Sequence, residues 1–190
     1  MSHKFNPEGA ERLVSPERYQ ELKPDILLQR LGIPPGCTIL DLGCGNGFFT
    51  FPAAVGMGEQ GMVIAADTSE EMLTLLNRRI PPDNVQVLQV DEIQMDLESD
   101  SVDAAVVISL YHELKTPRKN LKEIKRVLRA EGKIMLLDWD PVSEQKRGPR
   151  QDHRILQSQV IEDLTATGFK INSSENYVED IWMIIAQLPA

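Results

Sequence analysis

Cysteine is scarce in this chain, and so are the apolar stretches that mark secreted or membrane-spanning proteins. Only Cys37 and Cys44 occur among 190 residues, too few for a disulfide framework, and neither has a cysteine or histidine neighbour at metal-ligand spacing. We therefore expect no metal site and a reducing, cytoplasmic compartment. The first residues, MSHKFNPEGAERL, contain no apolar stretch typical of a secretory signal, and no run approaches the roughly 18 apolar residues of a membrane span.

Positive charge and aromatic residues are also in short supply. Lys and Arg total 20 against 29 Asp and Glu, which gives a net charge of −9. A general surface for nucleic acid or an anionic membrane needs clustered Lys and Arg, so we expect neither as a partner, without excluding a local basic patch. Aromatic residues make up 5% of a chain that is 42% hydrophobic, so aliphatic side chains must fill the core.

Nearly continuous apolar runs alternate with helical patterns along most of the chain. Such runs are typical of strands buried on both faces, and they lie at 38–42, 62–66, 85–90, 102–110 and 133–139. Two further strands, at 169–175 and 181–187, are joined by a short link that predicts an antiparallel hairpin. The alternation predicts an α/β fold with a Rossmann-like, doubly wound seven-stranded sheet, mostly parallel with an antiparallel last strand. Residues 1–35 are expected to form an N-terminal arm with helices that could act as a lid, ahead of one domain over 36–190.

Helix boundaries are predicted from capping residues, proline and glycine. Pro24 is expected to divide the first helical stretch into two short helices. Thr68 and Glu71 fit a capping box that opens a helix after the second strand. Gly132 is expected to stop the helix that precedes the fifth strand, and a last helix is predicted at about 154–167.

A glycine-rich loop, DLGCGNG at 41–47, follows the first predicted strand. Gly43, Gly45 and Gly47 allow a tight turn and the close approach of a ligand to the backbone, although a plain strand-to-helix turn would need glycine as well. The dinucleotide fingerprint G-x-G-x-x-G does not fit, because Phe48 occupies the place of its third glycine, and no Walker A Gly-Lys-Ser/Thr follows. Asp41 would repel a pyrophosphate and attract an ammonium group.

At DLGCGNG the sequence resembles the class I S-adenosylmethionine-dependent methyltransferases, whose signature is an acid followed by a Gly-x-Gly-x-Gly loop. The resemblance extends over about 36–188 and is closest to small bacterial and archaeal enzymes related to the ubiquinone/menaquinone-biosynthesis branch. It implies S-adenosylmethionine as cofactor and S-adenosylhomocysteine as product. The sequence contains no large acceptor-recognition insertion, only the N-terminal segment and the 141–153 loop, so we expect a small-molecule acceptor. It further implies that the backbone of Gly43–Gly47, with Cys44 between, holds the methionine part of the cofactor, and that Asp41 lies near its amino group.

Asp67 is the candidate for ribose binding. It ends the second strand, 67 − 43 = 24 residues after the first glycine of the loop. An adenosine cofactor needs an acceptor for its ribose hydroxyls, and one carboxylate can accept from both. The alternative is an acid that simply favours the N-terminus of the following helix. Thr68 is expected to flank the ribose or adenine.

The acidic residues after the third strand are candidates for adenine binding. The resemblance implies that an acid here faces the adenine amino group and that the next backbone N–H meets a ring nitrogen. Asp91 matches that place, Glu92 is the alternative in the neighbouring register, and Ile93 follows them. A solvated acidic turn is the other interpretation in so acidic a chain.

The segment SLYHELKTP, 109–117, ends the fourth strand and is expected to face the methyl acceptor. Ser109 should lie beside the donor, and Tyr111 and His112 should face the acceptor. His112 is the candidate general base, because its ordinary pKa lies near neutrality; a capping histidine is the alternative. The nucleic-acid amino-methyltransferase signature Asp/Asn-Pro-Pro-Tyr/Phe is absent, which disfavours a base amino group as acceptor.

Two surrounding segments could close the site. Trp139, between Asp138 and Asp140, could form a wall of the acceptor pocket or sit half-buried at the rim. The basic stretch 146–154 is either a solvated loop or a flap that favours an anionic substrate. Two other functions stay open at this point: a nicotinamide-dependent oxidoreductase, and a non-catalytic S-adenosylmethionine-binding protein. The sequence leaves the oligomeric state open.

Overall fold

One seven-stranded sheet forms the centre of the structure, a computed structural model that describes residues 7–142 and 148–190. The strands are Thr38–Leu42 (β1), Met62–Asp67 (β2), Val85–Gln89 (β3), Val102–Ile108 (β4), Leu128–Trp139 (β5), Lys170–Val178 (β6) and Ile181–Gln187 (β7). Their order across the sheet is β3-β2-β1-β4-β5-β7-β6.

The strand directions confirm the predicted doubly wound sheet. Strands β1 to β5 pair in parallel, and β7 runs antiparallel to both β5 and β6. The last strand along the chain is thus inserted beside β5, with β6 at the edge. The strand order reverses between β1 and β4, and ligands of such sheets bind at the carboxyl ends of the strands near that point.

Six α-helices and three 3₁₀ turns precede or connect the strands in the described ranges. The helices are Pro16–Leu22 (α1), Pro24–Leu31 (α2), Thr50–Met57 (α3), Glu70–Arg78 (α4), Pro117–Val127 (α5) and Gln157–Thr167 (α6). The 3₁₀ turns are Pro7–Val14, Tyr111–Glu113 and Gln151–His153. Pro24 does separate two helices, as predicted, because Lys23 adopts a left-handed conformation with φ 44° between them.

Three helix boundaries differ from the sequence prediction. The cap of α4 is Ser69, whose Oγ accepts the Met72 N–H at 3.3 Å, so Thr68 is left outside the helix. Helix α5 ends at Val127 because Leu128 already pairs with Val102 in the sheet, so Gly132 lies inside β5 and stops no helix. Helix α6 begins at Gln157, because Arg154 and Leu156, within the first predicted turn, adopt extended conformations.

Both faces of the sheet are buried, as the continuous apolar runs predicted. Within β1, Leu40 packs in a cluster with residues of α5 and α6, whereas Ile39 packs in another with residues of α2 and α3. Since strand side chains alternate between faces, Asp41 shares the face of Ile39 and lies toward α3. None of the helices within the described ranges has the length and apolar character needed to cross a membrane.

Candidate functional site

A cavity of about 620 Å³ opens at the carboxyl ends of β1, β2 and β4, beside the reversal of strand order. Its volume is in the usual range for small-molecule sites. The sheet side of the wall includes most of the predicted site residues: Asp41, Gly43, Cys44, Gly45, Asp67, Thr68, Asp91, Glu92, Ser109 and His112. The 3₁₀ turn Pro7–Val14, helix α1 and the segment 148–153 complete the wall.

The glycine loop presents bare backbone to the cavity. Gly43 and Gly45 have φ values of 73° and 53°, and a Cβ atom on Gly43 would lie 2.6 Å from Leu110 Cδ2. These positions favour glycine because L side chains rarely adopt positive φ. Gly47, with φ 91°, lies outside the described lining, and a Cβ there would come within 2.5 Å of the Phe51 ring. Gly47 therefore serves the turn itself, and its contact with the cofactor stays a prediction.

Asp67 ties the glycine loop to the end of β2. Its Oδ2 accepts the Gly45 N–H at 2.9 Å, and its Oδ1 accepts the Ser69 N–H at 2.9 Å. Each carboxylate oxygen can accept a second hydrogen bond, and Asp67 lines the cavity. Gly45 and Asp67, 22 residues apart in sequence, therefore belong to one continuous wall of the cavity.

Asp41 is a buried acid with one strong partner. It is 2% exposed, and its Oδ2 accepts the Thr50 hydroxyl of α3 at 2.6 Å. Burial raises the pKa of Asp41 to about 7; the Thr50 hydrogen bond partly opposes the rise, and the charge of Asp67 adds to it. A cation that enters the cavity would favour the ionised form.

Two buried polar atoms of cavity-lining residues have no hydrogen-bond partner among the described residues, Asn46 Oδ1 and Arg18 Nε. The Asn46 amide is held in place because its Nδ2 donates to the Ala10 carbonyl at 2.7 Å. An orphaned acceptor and an orphaned donor in one cavity favour a polar ligand. Sequence reasoning missed both residues; Asn46 stood inside the glycine loop, whereas nothing in the sequence pointed to Arg18.

The acids after β3 differ in their partners. Asp91 and Glu92 are exposed at the cavity rim, but the Glu92 carboxylate binds Lys115 Nζ at 2.7 Å. The Glu92 carbonyl accepts from the Asn120 amide. Asp91 is therefore the better placed of the two to meet a ligand amino group. The Ile93 side chain is 39% exposed and lies outside the described lining, which counts against a side-chain contact there.

His112 and Asp138 form a dyad at the ends of β4 and β5. His112 Nδ1 lies 2.7 Å from Asp138 Oδ1, and the His112 backbone N–H donates to Asp138 Oδ2 at 3.1 Å. Asp138 is fully buried and also accepts the Trp139 N–H at 2.8 Å. Burial lowers the pKa of His112, but the hydrogen bond and charge of Asp138, with the charge of Glu113, outweigh burial and leave it raised.

Tyr111 does not face the cavity, so its predicted catalytic role is corrected. Its side chain is buried, and its hydroxyl donates to Asp163 Oδ2 of α6 at 2.9 Å. Burial and the Asp163 hydrogen bond raise the pKa of the Tyr111 hydroxyl further above its usual value. Arg118 binds the other Asp163 oxygen at 2.6 Å, which completes a structural link between α5 and α6.

Only some of the residues predicted to close the site lie within the described part of the chain. Trp139 lines the cavity and is 9% exposed, with the Arg154 guanidinium 5.5 Å from its ring centroid. Of the basic stretch 146–154, Arg150 and His153 line the cavity, whereas Lys146 and Arg147 lie outside the described residues. His3, Lys4 and Phe5 of the N-terminal arm also lie outside them. The described residues contain no cluster of three metal-ligating side chains.

Comparison with known proteins agrees with this geometry. A family model described as "Methyltransferase domain" matches residues 40–136. The chain is 34% identical over 116 residues to a demethylmenaquinone methyltransferase of Lactococcus lactis subsp. lactis (strain IL1403), covering 58% of this chain and 45% of that protein. It is 27% identical over 119 residues to a tRNA (carboxymethyluridine(34)-5-O)-methyltransferase of Macaca fascicularis, covering 61% of this chain and 17% of that protein. The chain thus spans less than half the length of either relative.

A solved structure matches the chain over nearly its whole length. A SAM-dependent methyltransferase from Aquifex aeolicus superposes with a TM-score of 0.92 at 28% sequence identity. The match covers 97% of this chain and 100% of that chain, so it includes the elements beyond residue 136 and the N-terminal helices.

Proposed function

Because the chain belongs to the class I S-adenosylmethionine-dependent methyltransferase family, we propose that it transfers a methyl group from S-adenosylmethionine to a small-molecule acceptor and releases S-adenosylhomocysteine. The observation that carries the proposal is the 2.9 Å hydrogen bond from the Gly45 N–H to Asp67, within the wall of one cavity. It places bare backbone, suited to an amino-acid tail, directly beside a carboxylate suited to ribose hydroxyls.

The methionine end of the donor is assigned to the glycine loop. Gly45 leaves room for a ligand against the main chain, since the nearest atom to a Cβ there would be Leu13 Cδ1 at 3.6 Å. The orphaned Asn46 Oδ1 fits an ammonium donor, and the negative charge of Asp41 attracts it from beneath the loop. The residues present therefore fit the α-amino group of the donor.

The adenosine end is assigned to the ends of β2 and β3. Asp67 has acceptor capacity left for both ribose hydroxyls after its bonds to Gly45 and Ser69. Thr68 lines the cavity next to it. Asp91 is assigned the adenine amino group, since the neighbouring Glu92 carboxylate is held by Lys115. The backbone at Glu92 and Ile93 is assigned the adenine ring nitrogen.

His112 is assigned the role of the general base that removes the proton of the acceptor. When bound, S-adenosylmethionine supplies an electrophilic methyl carbon, which the acceptor's lone pair attacks as the carbon–sulfur bond breaks and the sulfonium becomes a neutral thioether. Asp138 holds the Nδ1–H tautomer of His112, which leaves Nε2 as the proton acceptor. A hydroxyl of the acceptor gives its proton to Nε2 as its bond to the methyl carbon forms, whereas an ammonium group gives its proton to Nε2 before the freed lone pair attacks. Ser109 and Trp139 line the cavity around this position.

A small acceptor fits the chain better than a nucleic acid. One relative's name points to a demethylmenaquinone acceptor and another's to tRNA. The net charge of −9 disfavours a phosphate backbone as partner. The His112–Asp138 dyad favours an enzyme over a non-catalytic binding protein, because a carboxylate bonded to Nδ1 prepares the imidazole for proton transfer at its other nitrogen.

Ligand-induced stabilisation tests the proposal directly. Saturating S-adenosylhomocysteine or S-adenosylmethionine is expected to raise the free energy of unfolding by about 2.7 kcal/mol at 100 times the dissociation constant, whereas NAD at the same concentration leaves the melting temperature unchanged. A donor-consumption screen across phenols, quinols, amines and thiols then identifies an acceptor. Stabilisation by NAD and not by S-adenosylhomocysteine would overturn the assignment in favour of an oxidoreductase.

Replacing Asp41 with asparagine is expected to stabilise the unliganded protein near pH 8 while weakening S-adenosylhomocysteine binding about tenfold. The amide oxygen of the new side chain can still accept the Thr50 hydroxyl, but the side chain carries no charge for the ligand ammonium. The folded pKa of about 7 exceeds the ordinary 3.8, so the folded state holds an extra proton between these pH values. Its stabilising contribution is present below the lower value and is lost as pH rises to the upper one.

Urea unfolding of wild type and Asp41→Asn at pH 5 and pH 8, with calorimetric titration of the ligand, measures both effects. The variant should be more stable than wild type by roughly 1–3 kcal/mol at pH 8 and show a smaller difference at pH 5. Equal pH dependence in the two proteins would contradict the raised pKa of Asp41, and unchanged affinity would remove Asp41 from the ammonium site.

A further inference from the structure

Arg18 is a half-buried cation of α1 that none of the assignments above uses. Its Nη2 donates to Ser109 Oγ at 3.4 Å, and its guanidinium carbon lies 4.9 Å from the centroid of the Phe48 ring. Tyr19 also packs against that ring, with the two ring centroids 4.9 Å apart. The side chain is thus held on the cavity wall by one neutral hydroxyl and one aromatic face.

The hydrogen-bonding capacity of Arg18 is left incomplete by the described residues. Its Nε is buried and has no partner among them, although a guanidinium offers five donors. Burial lowers the pKa of Arg18 to about 10, with the charges of Glu21 and Asp138 opposing the fall, so the group stays cationic at neutral pH. A buried donor on a cation costs stability unless it finds an acceptor.

The position of Arg18 relative to the sheet identifies the part of the cavity that it serves. Arg18 donates to Ser109, which directly follows β4. The charge of Asp138, a β5 residue that contacts His112, opposes the fall in the pKa of Arg18. Asp67 stands two strands away from β4, at the end of β2. Arg18 therefore faces the region between the glycine loop and the dyad, where the reacting ends of donor and acceptor would meet.

We propose that Arg18 is an anion-binding residue of this cavity and that it holds a carboxylate of a bound reactant. The planar guanidinium fork matches a carboxylate with two parallel N–H donors, and the orphaned Nε supplies one of them. Two reactants can supply the carboxylate: the α-carboxylate of the methyl donor, or an acid group on the acceptor. The inference rests on the proposed function, since it takes the cavity to be the site of methyl transfer.

Calorimetric titration of the full chain with two donor-site ligands tests the first source. S-adenosylhomocysteine carries the α-carboxylate, and 5′-methylthioadenosine lacks the whole amino-acid part. If the donor supplies the carboxylate, Arg18→Met weakens S-adenosylhomocysteine binding at least tenfold and leaves 5′-methylthioadenosine binding unchanged. Arg18→Lys keeps the charge without the fork and is expected to fall between wild type and Arg18→Met.

A second arm tests the acceptor as the source. Protein saturated with S-adenosylhomocysteine is titrated with 2-hydroxybenzoate and with its neutral counterpart 2-hydroxybenzamide. If the acceptor supplies the carboxylate, wild type binds the benzoate at least tenfold more tightly than the benzamide, and Arg18→Met abolishes that preference while S-adenosylhomocysteine affinity stays unchanged.

Arg30→Met is the matched control. Arg30 also lies over an aromatic ring, that of Tyr177 at 5.5 Å, but it pairs with Glu175 outside the cavity lining. This variant changes the net charge equally and should leave every affinity as in wild type. If folded Arg18→Met matches wild type for S-adenosylhomocysteine and shows the same benzoate-to-benzamide ratio, the inference is overturned. Wild type that does not bind S-adenosylhomocysteine would instead refute the proposed function.

Discussion

Replacing Asp67 with alanine is expected to weaken S-adenosylhomocysteine binding by about a hundredfold or more. The variant loses the acceptors assigned to both ribose hydroxyls. It also releases the Gly45 N–H and the Ser69 N–H, each of which donates to Asp67 at 2.9 Å. The loop and the N-terminus of α4 therefore lose their common anchor at the same time. Calorimetric titration measures the affinity, and thermal unfolding without ligand measures the structural part of the loss.

Asp103→Ala is a suitable control for the Asp67 variant. Asp103 likewise accepts a backbone N–H across the sheet, that of Thr38 at 2.8 Å, and it pairs with Arg129. Because Thr38 is the first residue of β1, this carboxylate lies at the amino end of that strand, whereas the cavity lies at the carboxyl ends of the strands. The Asp103→Ala variant should have a lower free energy of unfolding and the wild-type affinity for S-adenosylhomocysteine. An Asp67→Ala protein that binds S-adenosylhomocysteine as wild type does would disprove the assignment of Asp67 to the ribose.

The class of the sheet was predictable from sequence because local patterns identify its strands and the helices that connect them. Continuous apolar runs such as 62–66 predicted strands buried on both faces, and the helices between them predicted parallel crossover connections. The errors were local. Ser69, and not Thr68, caps α4. Gly132 lies within β5, because pairing with β4 extends that strand back to Leu128. Tertiary pairing overrode the capping and stop signals at both places.

The candidate site was predictable only where its residues are strand ends. Asp67 and His112 follow strands, so the topology brings them to one edge of the sheet. Arg18 comes to Ser109 from 91 residues away through the packing of α1, for which the sequence holds no periodic signal. Tyr111 stands next to His112 but turns toward Asp163, because a 3₁₀ turn after β4 replaces the strand alternation that would predict its direction.

Asp138→Asn is expected to lower kcat by about 10²–10⁴-fold through the tautomer of His112. The amide oxygen of the new side chain can take the place of Oδ2 and accept the His112 backbone N–H, whereas the NH₂ group takes the place of Oδ1 and leaves the Trp139 N–H without its present acceptor. Its NH₂ group would instead donate to Nδ1, which places the imidazole proton on Nε2 and removes the proton acceptor. Asp138 is therefore a positioning residue. The measurement is S-adenosylhomocysteine formation with an acceptor from the donor-consumption screen, beside His112→Ala, which should fall by a similar factor.

The pH dependence separates this role from a structural one. The hydrogen bond and charge of Asp138 help to raise the pKa of His112, so that pKa should fall in Asp138→Asn when followed by NMR. In wild type, kcat/KM should rise with pH through the raised pKa of His112, because only the neutral imidazole accepts a proton. Asp163→Asn makes the same change at another buried acid, which contacts Tyr111 and Arg118 outside the cavity lining. It should keep the wild-type pH profile. If Asp138→Asn retains wild-type kcat and an unshifted His112 pKa, neither residue moves the acceptor's proton.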